Sequence, residues 1–180
     1  MGIRSFRAVV AAVALCIAGC ASIPLSTMVG MSRMSMQSLV QVDPAEIRIR
    51  LSVPEGFEVD AARTHLTFSV RNPAVEHSSE FDVRVLEIGE GERPGGLFEP
   101  DLAVATYMLA LTPESQQAFR AFQQVLLGVE HGTFEAGFRT HFSERPPGAR
   151  DVTLWVDLKL SDAESFMPLL DGARVEFGDS

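Results

Sequence analysis

Beyond Pro44, apolar and polar side chains alternate along most of the chain, the period of strands with one buried face. Ile47, Ile49, Leu51 and Val53 alternate with Arg48, Arg50 and Ser52 until Pro54-Glu55-Gly56 breaks the run. His65 to Arg71 repeats the design, with Leu66, Phe68 and Val70 inward, and Asn72-Pro73 turns the chain. Phe81, Val83 and Val85 follow, but Leu86 and Ile88 fall on the opposite parity. A bulge, or a strand end buried on both faces, accounts for such a switch. Gly89 to Gly96, with Glu90, Glu92, Arg93 and Pro94, reads as a loop.

Leu102 to Leu111 is almost wholly apolar and is expected to be a central strand covered on both faces. Thr112-Pro113 matches an N-cap followed by proline at the first helical position. The spacing predicts a helix over about 113–128 whose apolar stripe is Ala118, Phe119, Phe122, Val125, Leu126 and Val129, closed by Gly128 or Gly132. Gln123 lies off that stripe and is expected to face water. Phe134, Ala136, Phe138, Thr140 and Phe142 alternate again, as do Val152, Leu154, Val156, Leu158 and Leu160 beyond the turn at Pro146-Pro147-Gly148. Ser161 with Glu164 fits a capping box that would open a short helix near 162–167, curtailed by Pro168. Asp171-Gly172 then turns into a last strand, Arg174 to Phe177.

About seven such strands with turn signals at short intervals predict a mainly-β fold, a β-sandwich with one packed helix. An immunoglobulin-like topology fits the strand count, although its Cys…Trp…Cys hallmark is missing. A single α+β sheet covered by the helix is the alternative.

The front of the chain has a different character. Arg4 and Arg7 precede the apolar run Ala8–Leu15, and small residues lead to Cys20, the layout of a secretory signal peptide. The dozen or so apolar and small residues from Ala8 to Gly19 fall short of the roughly 20 that span a bilayer. Ile17-Ala18-Gly19-Cys20 resembles the lipobox of bacterial lipoproteins. That resemblance covers residues 1–20 and implies cleavage between Gly19 and Cys20, with diacylglyceryl transfer to the Cys20 sulfur and acylation (palmitate or a similar chain) of the new amine. Two or more acyl chains hold a protein stably on a membrane where a single chain does not. Ala21 is not the aspartate of an inner-membrane retention signal, so the resemblance favours the periplasmic face of the outer membrane. The expected organisation is a signal peptide at 1–19, a lipidated cysteine and tether at 20–42, and one globular β-rich domain at 43–180.

Charge and cysteine content sharpen this reading. The whole chain carries −9; losing Arg4 and Arg7 with the signal leaves −11, which argues against nucleic acid and anionic lipid headgroups as partners. Cys16 and Cys20 are the two cysteines, one removed and one lipidated. The domain is therefore expected to hold together without a disulfide. The 161 residues left after cleavage suffice for one domain with a core.

Candidate chemistry is sparse. No nucleophile elbow, phosphate loop, dinucleotide fingerprint or zinc-protease helix occurs. His65, His77, His131 and His141 match no standard ligand spacing and read as solvated surface residues, so no metal, cofactor or catalytic residue is expected. Glu87, Glu90 and Glu92 read as a solvated turn. Met28, Met31, Met34 and Met36 resemble the methionine motifs of periplasmic copper(I) carriers, where soft sulfur suits a soft ion, but thioethers also serve as adaptable apolar filler in a tether. Parity sets Trp155, the only tryptophan, on the polar face of its strand, the placement of an aromatic interface anchor. The expected function is a non-enzymatic interaction or scaffold domain, bound to the membrane by lipid and contacting another envelope protein. The alternative is a small-ligand or metal-binding lipoprotein with a cavity lined by Phe119 and Phe122.

Overall fold

The computed structural model describes residues 36–74, 76–94, 100–129 and 131–177. Gly19, Cys20 and the Met28–Met34 stretch lie outside the described residues. The elements are α1 (Met36–Gln41), β1 (Arg48–Pro54), β2 (Glu58–Arg71), β3 (Glu76–Arg93), β4 (Leu102–Leu111), α2 (Pro113–Leu127), β5 (Thr133–Glu144), β6 (Asp151–Lys159) and β7 (Met167–Glu176). The fold is mainly antiparallel β with a packed helix. All seven strands join one sheet in the order β5-β2-β3-β4-β1-β6-β7. A sandwich divides its strands between two sheets. Here one sheet, the connectivity of the single-sheet alternative, curls until it is nearly closed, and its opposed halves bury the alternating apolar residues.

The core follows the predicted parity. Ile47, Ile49 and Leu51 of the first run and Val156 and Leu158 of β6 are wholly buried. Two aromatic clusters fill the two ends. At one, Phe68 of β2 and Phe81 of β3 meet Phe119 and Phe122 of α2, with ring centroids 5.4–6.3 Å apart. At the other, Phe142 of β5 meets Phe177, just past β7, edge-on at 5.8 Å, and Phe57 packs on both. These rings bring the two outer strands together without a hydrogen-bonded ladder between them.

Thr112 caps α2 as expected: its backbone is extended and its Oγ1 accepts from the Ser115 amide at 3.2 Å. The buried stripe, however, is Ser115, Phe119, Phe122, Gln123 and Leu126, while Ala118 faces solvent. Gln123 is a correction. Its Nε2 donates to the carbonyls of Leu39 and Val42, both at 2.8 Å, and so holds α1 against α2. Leu39 is wholly buried in the core. Gln123→Ala strands two shielded carbonyls, so it should lower stability by about 1–3 kcal/mol and speed amide exchange across residues 36–42. An unfolding midpoint equal to wild type would contradict that account.

The short helix near 162–167 does not form. Ser161 Oγ donates to Glu46 Oε2 at 2.9 Å and accepts from the Ala163 amide at 3.3 Å. The Asp162 amide donates to the same Glu46 oxygen at 3.0 Å, so the first amides are tied to Ser161 and to a distant carboxylate without a helix following. The segment becomes a single turn closed by the Glu164 amide on the Ser161 carbonyl. Lys159 binds Asp162 across it at 2.9 Å and holds that exposed carboxyl below its usual range. β7 then begins at Met167, earlier than the predicted Arg174. It passes Asp171-Gly172 as an irregularity within the strand, with Gly172 left-handed at φ 66°. Likewise β3 shifts register between Val85 and Glu87, the anticipated bulge, yet Leu86 and Ile88 remain exposed and the strand runs on to Arg93.

Candidate functional site

Register places the polar residues of four neighbouring strands in rows on the outer face. Gly89, Thr106, Ser52 and Trp155 align across β3, β4, β1 and β6, and Glu87, Met108, Arg50 and Asp157 align in the next row. Sequence spacing alone assigns Arg50, Ser52, Trp155 and Asp157 to outward positions but does not bring them together.

Asp157 is the centre of the group. Only about a tenth of its side chain is exposed, and its Oδ2 accepts from both Arg50 and Arg93 at 2.9 Å. Arg93 comes from the far end of β3 and lays its guanidinium across β4 and β1, also donating to Ser52 Oγ at 3.2 Å. Ser52 shares a further hydrogen bond of 3.0 Å with Thr106. One carboxylate between two guanidiniums leaves one positive charge in excess at a half-buried place. Aromatic faces flank it: Phe166 lies 4.6 Å from Arg50 and Trp155 lies 5.9 Å from Arg93.

Trp155 is half-buried on this face. It rests on the irregular stretch of β7, where a Cβ at Gly172 would stand 3.5 Å from the indole Nε1. That distance is ordinary contact, and it is the left-handed backbone at φ 66° that calls for glycine there. Beside the cluster is an open depression of about 450 Å³ lined by Arg50, Ser52 and Arg93 with Glu87, Glu90 and Glu92. The three glutamates predicted in a turn therefore sit on β3, ringing a positive centre with negative charge. Chemically the arrangement is a hydrogen-bonded, ion-paired cluster on the sheet surface. Its buried carboxylate is committed to two arginines and its hydroxyls are bonded to each other.

The histidines are not brought together. His65 pairs with Asp82 at 2.8 Å, and His141 Nδ1 lies 3.0 Å from the Arg63 carbonyl. His77 stacks on Phe122 at 5.8 Å, and His131 is exposed. Among the described residues no three His, Cys, Asp or Glu side chains gather in a metal-holding arrangement. Phe119 and Phe122 pack ring against ring rather than lining a cavity. Among the described residues no helix is long and apolar enough to cross a membrane. Compared with protein families, curated proteins and solved structures, the chain has no match.

Proposed function

We propose that this chain is a lipid-anchored protein of the bacterial envelope whose barrel-like domain engages another envelope protein through the Trp155–Arg93 platform. The anchor rests on the resemblance of Ile17-Ala18-Gly19-Cys20 to a lipobox. The contact reading is carried by one observation: a tryptophan and two arginines held by hydrogen bonds and packing on an outward sheet face. Tryptophan and arginine dominate the energetics of protein interfaces, and a surface fixed before contact loses little entropy on binding. The commitment of Asp157 to its two arginines favours binding over proton transfer, hence a scaffold over an enzyme.

Both parts are testable in one strain set. Cys20→Ser should eliminate incorporation of a clickable fatty acid, because the thiol alone accepts the lipid; equal label in both chains would sink the anchor. Trp155→Ala should reduce recovery of the partner from solubilised envelopes by about tenfold or more, the effect of losing one interface anchor. A melt of the same variant must show that it folds. A folded Trp155→Ala chain that retrieves its partner as well as wild type would remove the platform from consideration.

A further inference from the structure

The sheet carries a slit in its wall between β2 and β3. These strands pair from His65↔Asp82 to Arg71↔Glu76. Continued straight, Glu58–Thr64 would lie opposite Val83–Gly89. The chain departs from that course: β2 advances from Asp60 to His65 while its other neighbour, β5, advances only from His141 to Arg139. The surplus residues arch away from β3, and the arch is locked. Thr64 Oγ1 donates to the Asp60 carbonyl at 2.7 Å, the Ala62 amide donates to Asp60 Oδ1 at 3.1 Å, and Thr64 and Thr140 share a hydrogen bond of 2.8 Å.

Two consequences meet at the slit. The first is a strand edge. From Leu86 to Glu92 every residue of β3 is exposed, Ile88 at 59%, and its only ladder there runs to β4 on the opposite side. An edge of this kind is a template for another extended chain. The second is charge. Below the edge opens a cleft of about 250 Å³ floored by Ala105 and Tyr107 and walled by Glu55, Glu58, Glu90 and Glu144, with no cationic residue in its lining. None of these four carboxylates forms an ion pair among the described residues.

We propose that the slit is a second docking site, which takes an extended, basic segment of a partner protein as an added strand along Glu87–Glu92. Ile88, Glu90 and Glu92 project to the same side of β3 as Tyr107 and Ala105. An antiparallel incoming strand of alternating cations would therefore set two of them, two positions apart, against Glu90 and Glu92, with the aliphatic stem of a third over Ile88. Opposite charges directly across a strand pair stabilise it, and like charges oppose it. A second copy of this chain is disfavoured by the same rule, since it brings three more glutamates and a net charge of −9. The segment ahead of Met36 offers only Arg33 after Arg7, too little charge to answer four carboxylates. β3 serves both surfaces, since Glu90 and Glu92 also line the depression beside Arg93, but Trp155 lies three strands away on β6.

The test uses the full chain in detergent and a nine-residue peptide of alternating lysine and valine. Two controls are its glutamate–valine counterpart and a lysine–valine peptide N-methylated along one edge. The lysine–valine peptide should slow amide exchange within Leu86–Glu92 at least tenfold, and neither control should. Glu90→Lys with Glu92→Lys should abolish that protection and transfer it to the glutamate–valine peptide. Unchanged exchange with lysine–valine would overturn the proposal. Equal protection by the methylated peptide would also overturn it, showing charge attraction without strand addition. Trp155→Ala should leave the protection intact, so failure here and failure of the platform are separate results.

Discussion

Phe122→Ala is expected to lower the unfolding free energy by about 3–5 kcal/mol, the range for deleting a large core aromatic that its surroundings cannot replace. The ring is 1% exposed. It stacks on Phe68 at 6.3 Å and on His77 at 5.8 Å, and stands edge-on to Phe81 at 6.0 Å. Those three residues belong to β2 and β3, whose backbone positions are fixed by ladders, so the cavity collapses little. Each aromatic pair lost adds about 0.5–1.5 kcal/mol beyond buried area. Phe122→Leu retains most of the volume and should cost roughly half as much or less. Urea unfolding at constant slope measures both. A loss below about 1 kcal/mol for the alanine variant would mean that α2 is not fixed on the sheet as described.

Asp157→Ala should come second, at about 2–3 kcal/mol. Removing one partner of a buried ion pair costs about 3–5 kcal/mol because the other charge is left uncompensated. Here the side chains of Arg50 and Arg93 retain 37% and 22% exposure, so water screens part of the penalty. The variant nevertheless confronts two guanidiniums with no anion between them. Arg93→Ala keeps the Arg50–Asp157 pair and should cost only about 1 kcal/mol. The difference has a salt signature: added chloride should raise the midpoint of Asp157→Ala more than that of wild type, since screening relieves the repulsion. Thermal melts across a chloride series decide it. Parallel responses would show that the two arginines do not depend on Asp157.

Where a segment's structure follows from its own residues, the sequence was a good guide. Ile47 to Val53 and Val152 to Leu160 show their buried faces in their spacing, and Thr112-Pro113 announces the start of α2. The unbroken apolar run Leu102–Leu111, expected to be covered on both faces, instead begins exposed at Leu102 and Ala103. What escaped reading depends on partners distant in sequence. Gln123 looks like a surface residue until Leu39 and Val42 arrive from 81–84 positions away. Ser161 looks like the start of a helix until Glu46, 116 positions away from Asp162, takes the amide of the first turn. The glycines and glutamates from Gly89 to Glu92 resemble a loop because charge and glycine are costly inside a sheet, but a strand with one open edge tolerates both. Of the proposed platform only Trp155 was legible. Its arginines and Asp157 converge through register across β3, β4, β1 and β6, and one-dimensional spacing does not encode register between strands so far apart.

The clasp between α1 and α2 sets how the molecule bears load. Tension on the chain ahead of Met36 reaches the domain through α1 before any strand is strained. Six helical residues, one buried leucine and two hydrogen bonds from Gln123 stand first in line. Behind them β1 is held on both sides, by β4 and β6, and these ladders share a pull along the strand among many bonds at once. The first yield point is therefore a short helix, and the barrel-like sheet survives its release. In a force spectrometer pulling from the N-terminus, a small early step releasing residues 36–42 should precede the main rupture, and Gln123→Ala should erase that step while leaving the main one in place.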